Sequence, residues 1–232
     1  MIQQYQFLAE YLQELADQLP NHRAGRGVCY TPQIRVYGNR PEQDNGDRFT
    51  RFAGTVGRYY VLLCDGMGTG LGAVQEGKTA ASVLRRLLSA GYPAEHALRS
   101  LNSLCALRER AGAVTVDLAE LQLDKGDVVL YKWGAAPSYL VSKTGAEKIG
   151  PAGPPPGLSV TDCQEDYYRL SLRRGQTLFM VSDGVGEAEA LRCCIGGADL
   201  PPGELAVRLL TGSQISGEDD ATVVTVRLDV AT

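Results

Sequence analysis

Four acidic positions in this chain stand at the ends of apolar runs. Asp65 closes VLLC, Asp183 closes TLFMVS, Asp219 and Asp220 precede ATVVTV, and Asp47 begins DRFTRFAG. Carboxylates at strand ends can converge on one edge of a sandwich. Gathered there, they are costly unless a cation neutralises them. The 232 residues include only two histidines, so oxygen is the available donor, which suits a hard cation, Mg²⁺ or Mn²⁺. Glycine follows both Asp65 and Asp183, so the backbone can come close enough for a carbonyl to serve as a further ligand. Any one of these aspartates alone reads as a turn residue or a helix cap. The same Asp-Gly context at the ends of two apolar runs favours a shared site. Asp117, inside AVTVDLAEL, reads instead as a satisfied strand aspartate.

A second motif competes for the same stretch. Residues 72–79, GAVQEGKT, match the phosphate-loop pattern G-x-x-x-x-G-K-[ST]. A phosphate loop joins a strand directly to its helix through a bent, glycine-rich backbone. Here the apolar strand ends near Cys64, eight positions before Gly72, and Ala73, Ala80, Ala81, Leu84, Leu87 and Leu88 support one helix running through the motif. On that reading Lys78 and Thr79 are ordinary helix residues. LFMVSD at 178–183 would be the acidic strand of such an NTPase, but its neighbours are hairpins. GMGTGLGA also holds a dinucleotide-type pattern, with no strand–helix–strand unit around it.

The elements that must position these residues are mostly strands. GVCYTPQIRVYG, RFTRFAG and RYYVLLC precede two helical stretches, LGAVQEGKTAASVLRRLLSAG, stopped by Gly91, and PAEHALRSLNSLCALRER, started by Pro93. Strands return in AVTVDLAELQL, DVVLYKWG, SYLVS, EKIG, YYRLSL and QTLFMVSDG. DKGD at 124–127 is a hairpin turn and GPAGPPPGL an extended loop. Residues 186–194 and 202–211 read as short helices before the closing strand DATVVTVRLDV. This is not the strict alternation of a parallel α/β sheet. It predicts an α+β fold, a sandwich of two mainly antiparallel sheets flanked by helices. Residues 2–19 form an amphipathic pattern, with Ile2, Tyr5, Leu8, Leu12 and Leu15 on one face. The chain therefore divides into an N-terminal linker or dimer helix, 1–24, and one domain, 25–232.

DGMGTG, GAAPSYL, VSDGV and GEDDATVV, in this order, resemble the metal-dependent protein phosphatases of the type 2C superfamily, and most of all the sporulation-type catalytic domains. NGDRF before the first of them matches too. The resemblance implies an αββα sandwich and two Mn²⁺ or Mg²⁺ ions. In it Asp65 bridges the metals, the Gly66 carbonyl binds one, and Asp183 and Asp219 complete the site. Asp220 is the alternative to Asp219, and Asp47 acts through bound water. It also implies hydrolysis of a phosphoserine by a metal-activated water, with no phosphoenzyme and so no nucleophilic Ser or Cys. Many type 2C enzymes carry histidine where this chain has Met67; the sporulation type shares the methionine, so leaving-group protonation falls to water or another group. The implied substrate is a phosphorylated protein, a small anti-anti-sigma factor. A regulatory module that binds a partner without turnover, and the NTPase, are the alternatives.

The bulk numbers agree. The formal net charge of −4 argues against a nucleic-acid footprint. No apolar run is long enough for a membrane span, and no signal peptide precedes the domain. The six cysteines include no C-x-x-C pair, so they read as reduced thiols of a cytoplasmic protein.

Overall fold

Each central strand is apolar on both faces, so it must be covered on both. In the strand Arg58–Gly66, Val61 and Leu63 face one cluster while Tyr60, Leu62 and Cys64 face another. A single buried sheet would need helices on both sides, whereas two stacked sheets need them only outside. The computed structural model describes residues 29–39, 46–55, 57–67, 71–107, 114–150, 153–158, 167–213 and 220–231. Residues 1–24, expected from sequence to hold a linker or dimer helix, and Asp219 lie outside the described residues.

In chain order the strands are β1 Tyr30–Gly38, β2 Asp47–Ala53, β3 Arg58–Gly66, β4 Val114–Gln122, β5 Asp127–Trp133, β6 Ser138–Ser142, β7 Gly145–Ile149, β8 Tyr167–Ser171, β9 Thr177–Val181 and β10 Thr222–Val230. The helices are α1 Leu71–Ser89, α2 Ala94–Ala106, α3 Glu187–Gly196 and α4 Pro202–Ser213. One sheet runs β1-β10-β9-β6-β7 and the other β2-β3-β4-β5-β8, with every strand pair antiparallel. The central core includes Leu63, Leu121, Leu130, Leu178, Met180 and Val226. Helices α1 and α2 cover the outside of the second sheet with Leu84, Leu88 and Leu98, and α3 and α4 cover the first with Cys194 and Leu209. The result is the αββα sandwich that the pattern of runs predicts.

Residues 72–79 are helix throughout, and the Thr79 hydroxyl donates to the Gln75 carbonyl one turn back. No phosphate-cradling loop exists there. Gly91 takes φ +91 just past α1, the left-handed conformation of a helix stop. Gly126 does the same in the β4–β5 turn, at φ +77. No described helix is long and apolar enough to cross a membrane.

One charged contact spans the two sheets. Asp117 of β4 stands opposite Lys132 of β5, and the Lys132 ammonium donates to Asp117 Oδ2 at 2.7 Å and to Ser138 Oγ of β6 at 2.9 Å. The two charged side chains are 1% and 0% exposed. Burial raises the Asp117 carboxyl, and the Lys132 charge opposes that rise. Removing one partner strands the other in a dry core, a far larger loss than breaking an exposed pair. Lys132→Met is expected to cost about 3–5 kcal/mol in urea unfolding, and Asp117→Leu together with Lys132→Met to recover most of it. A single-variant loss below about 1 kcal/mol would mean that the pair is solvated.

Candidate metal centre

The sandwich brings four of the five predicted aspartates to one end. Asp47, the first residue of β2, stands opposite Asp65, the penultimate residue of β3. Directly opposed residues on paired strands sit about 4.5–5.5 Å apart, which is destabilising for like charges. Ser182 and Thr222 from the facing sheet also border the Asp47 carboxyl, and Asp220 lies near enough to act on it by charge. Asp65 lies near enough to Asp47 and Asp183 for their charges to act on its carboxyl. Asp47 is buried, Asp65 and Asp220 are half-buried and Asp183 is exposed, so the cluster opens from the core to solvent.

Backbone hydrogen bonds hold the contributing ends in place. Ser182 N–H donates to the Thr222 carbonyl at 3.0 Å, and Thr222 N–H to Ser182 Oγ at 2.8 Å. Ala221 N–H donates to Asn39 Oδ1 at 2.9 Å. The end of β9 and the start of β10 are thereby tied together, and with them Asp183 and Asp220. Asp220 Oδ2 accepts from Gly46 N–H at 2.6 Å, which ties it to the segment leading into Asp47.

The glycines are explained by close approach. A Cβ on Gly66 would lie 1.9 Å from the Ala73 carbonyl oxygen in the first turn of α1, and one on Gly184 would lie 2.1 Å from the Asp220 carbonyl oxygen. A Cβ on Gly46 would sit 3.2 Å from Asp220 Oδ2 and 3.7 Å from the Gly66 carbonyl oxygen. Gly46 thus leaves room beside a carboxylate and a carbonyl that face the same space. Gly77, the second glycine of the phosphate-loop pattern, lets α1 lie against Gly46 and Gly66.

Burial first, then the charges of Asp47 and Asp183, pushes the Asp65 carboxyl from 3.8 up to about 9. Burial likewise pushes Asp47 up to about 6, against hydrogen bonding from Thr222 and Ser182. Carboxyls so disposed hold protons between them or require a cation. Every donor here is oxygen, and with the Gly66 carbonyl the set fits Mg²⁺ or Mn²⁺. No three His, Cys, Asp or Glu side chains among the described residues are already gathered around one point. Cys64 is fully buried on the helix side of β3, and burial raises its thiol, so it has no nucleophilic part. Met67 is 49% exposed at the rim.

The sequence reading overlooked Lys132, Gly46, Ser182 and Thr222. The small residues Ala73, Gly77, Ala80 and Ala81 did carry a signal, since such a face on a helix marks a close backbone neighbour.

The family described as stage II sporulation protein E (SpoIIE) matches residues 55–229. Stage II sporulation protein E of Bacillus subtilis (strain 168) is 27% identical over 201 residues, 80% of this chain but 24% of its own length. The chain thus spans about a quarter of that relative. The solved phosphatase domain of SpoIIE from Bacillus subtilis, with a fragment of its regulatory domain, superposes with a TM-score of 0.76 at 24% identity, over 88% of this chain and 66% of that one. RsbX in complex with magnesium gives 0.67 at 17% identity, over 85% and 96%. The fold is that of the type 2C phosphatase domains.

Two measurements probe this end of the sandwich. In EDTA, Asp65 and Asp47 have folded pKa values above their unfolded ones, so the folded state binds more protons. Stability therefore falls as pH rises from about 4, through about 6 for Asp47 and on to about 9 for Asp65. Asp65→Asn is expected to flatten the upper part of that fall in thermal unfolding; an unchanged slope would mean that burial and its neighbours do not raise the Asp65 carboxyl. Gly77→Ala would gain about 1 kcal/mol on an exposed helix. Here its Cβ would meet the Gly46 carbonyl oxygen at 2.8 Å, so a net loss of about 1–3 kcal/mol is expected. A stabilised Gly77→Ala protein would refute the contact.

Proposed function

The chain belongs to the stage II sporulation protein E (SpoIIE) family, and we propose on that premise that it is a metal-dependent phosphoserine phosphatase. The observation that carries the reading is the meeting of Asp47, Asp65, Asp183 and Asp220 at one end of the sandwich. Asp65 is the central ligand, between Asp47 and Asp183, and the Gly66 carbonyl is a second. Asp183 and either Asp219 or Asp220 complete the set. The Gly46 N–H engages Asp220 Oδ2, which ties this aspartate to the segment that leads into Asp47. Asp47, deepest of the group, orders the inner side through its neighbours.

Two bound Mn²⁺ or Mg²⁺ ions would supply an activated water and neutralise charge on the phosphoryl oxygens. The chain's own part is to hold the carboxylates at the strand ends, leave the Asp183 side open to a phosphoryl group, and present no side-chain nucleophile. Met67 offers no proton to the leaving alkoxide, so slow intrinsic turnover is expected. The substrate is a phosphoserine on a cytoplasmic protein, by family analogy a small anti-anti-sigma factor. Pairing of two chains through residues 1–24 belongs to the same proposal.

The test is hydrolysis of an aryl phosphate and of a phosphoserine protein in Mn²⁺ or in EDTA. Activity is expected only with metal, and to fall on the order of a hundredfold or more in Asp65→Asn and Asp183→Asn. Comparing Asp219→Asn with Asp220→Asn assigns the last ligand. Partner binding without hydrolysis would leave a regulatory module, and magnesium-dependent ATP binding abolished by Lys78→Ala would overturn the reading.

A further inference from the structure

The flank of the sandwich carries a groove whose charge is opposite to that of the carboxylate end. Edge strand β2 and helix α1 enclose about 480 Å³. Four of the nine lining residues, Arg48, Lys78, Arg85 and Arg86, are cationic, and none is acidic. In a chain of net charge −4 such a lining is unbalanced. Lys78, Arg85 and Arg86 are exposed, and none of the three enters an ion pair among the described residues. Their spacing, with Ser82 and Ser89, sets them along one side of α1. Around the corner Arg35 and Arg51 extend the same sign, with Arg51 Nη1 donating to the Ile34 carbonyl.

The groove begins at residues that adjoin the candidate metal centre in the chain and in packing. Arg48 follows Asp47, and Lys78 follows Gly77, which lies against Gly46 and Gly66. From there, past Arg48, Phe49 and Thr50 of β2, it runs along α1 from Lys78 to Ser89, about 16 Å, the length of roughly five extended residues. As the sheet's edge, β2 pairs only with β3 among the described residues, so its outer backbone can accept an added strand. Its length, open backbone and uniform charge suit one kind of occupant.

We propose that this groove docks an acidic, extended segment of about five or six residues flanking the phosphoserine of the protein substrate. The assignment rests on the phosphatase reading above and adds to it what the enzyme recognises. Main-chain pairing to β2 gives register, and Lys78, Arg85 and Arg86 select carboxylates by charge. The site itself is rich in aspartate and repels an acidic flank. Cations at its rim offset that repulsion where the flank leaves the centre.

The test uses synthetic phosphoserine peptides carrying five Asp/Glu or five Asn/Gln residues on one side. In Mn²⁺, kcat/KM is expected to favour the acidic peptide on the order of tenfold, through KM, and the preference to vanish at about 0.5 M salt. Arg85→Glu with Arg86→Glu should erase it, and Arg85→Lys with Arg86→Lys should keep it. Hydrolysis of an aryl phosphate, too small to reach Arg85 or Arg86, should stay unchanged in both. Binding of the unphosphorylated acidic peptide, followed by fluorescence anisotropy, reads the groove alone. Wild-type protein that binds this peptide yet hydrolyses no phosphoester would sink the phosphatase and keep the groove. Equal turnover and binding of acidic and neutral peptides would overturn the proposal. So would phosphatidylserine vesicles that bind in an Arg85- and Arg86-dependent way without any peptide preference.

Discussion

The structure depends on how it handles carboxylates placed where water is scarce. Asp47 and Asp65 face each other across a strand pair at the end of the sandwich, where like charges repel. A buried carboxylate must find a counter-charge, hold a proton or destabilise the fold. The chain uses the first solution at Asp117, whose charge meets Lys132 inside the same core. At Asp65 no lysine or arginine among the described residues bears on the carboxyl, which rises to about 9 instead. One sheet thus contains an aspartate balanced by a lysine on the neighbouring strand, and another that no described cation balances. That contrast, more than the number of aspartates, marks the strand end as a place for a cation.

Repulsion of this kind would splay the strands unless something held them, and the surrounding packing does so. The β2–β3 register runs from Asp47 opposite Asp65 to Ala53 opposite Tyr59, so the charged pair ends a long hydrogen-bonded ladder. From above, α1 is set down on Gly66 and Gly46 through Ala73 and Gly77, too closely for any side chain between them. From the facing sheet, Ser182, Thr222 and Asn39 bond the backbone that carries Asp183 and Asp220. These restraints act on the backbone that carries the carboxyls, and Gly46 N–H holds Asp220 Oδ2 besides.

The sandwich and its order of strands and helices were legible, because apolar runs bounded by glycine give type and length. Gly91 and Pro93 bounded α1 and α2 as expected. The choice between phosphate loop and helix was also legible from Ala73 through Leu88. What the sequence did not disclose is pairing across the fold. Nothing local to Lys132 says that it meets Asp117, and Gly46 has meaning only once Asp220 lies beside it. The Asp-Gly pattern pointed to Asp65 and Asp183 and to close backbone approach, but not to the neighbours that approach. At Gly184 the neighbour is the Asp220 backbone, and at Gly66 it is the first turn of α1. Glycine after a strand-end aspartate reports a close neighbour, and the fold decides which one.

The phosphate-loop pattern at 72–79 shows how a motif can match by letter and differ in physics. In a phosphate loop glycine frees the backbone to curl round an anion. In α1 the backbone is regular, and Gly77 instead removes a side chain so that the helix can touch two other segments. The lysine that would reach a phosphate in a loop is turned outward here, exposed on the helix surface. Both uses exploit the missing Cβ, one for conformational freedom and the other for proximity. Which applies is decided by what precedes the motif. A strand leading straight into Gly72 would have favoured the curl; here the strand ends at Gly66, and Ala73 packs against that residue at once. The same contact that removes the nucleotide reading therefore holds the Gly66 backbone in place beside Gly46, next to Asp65.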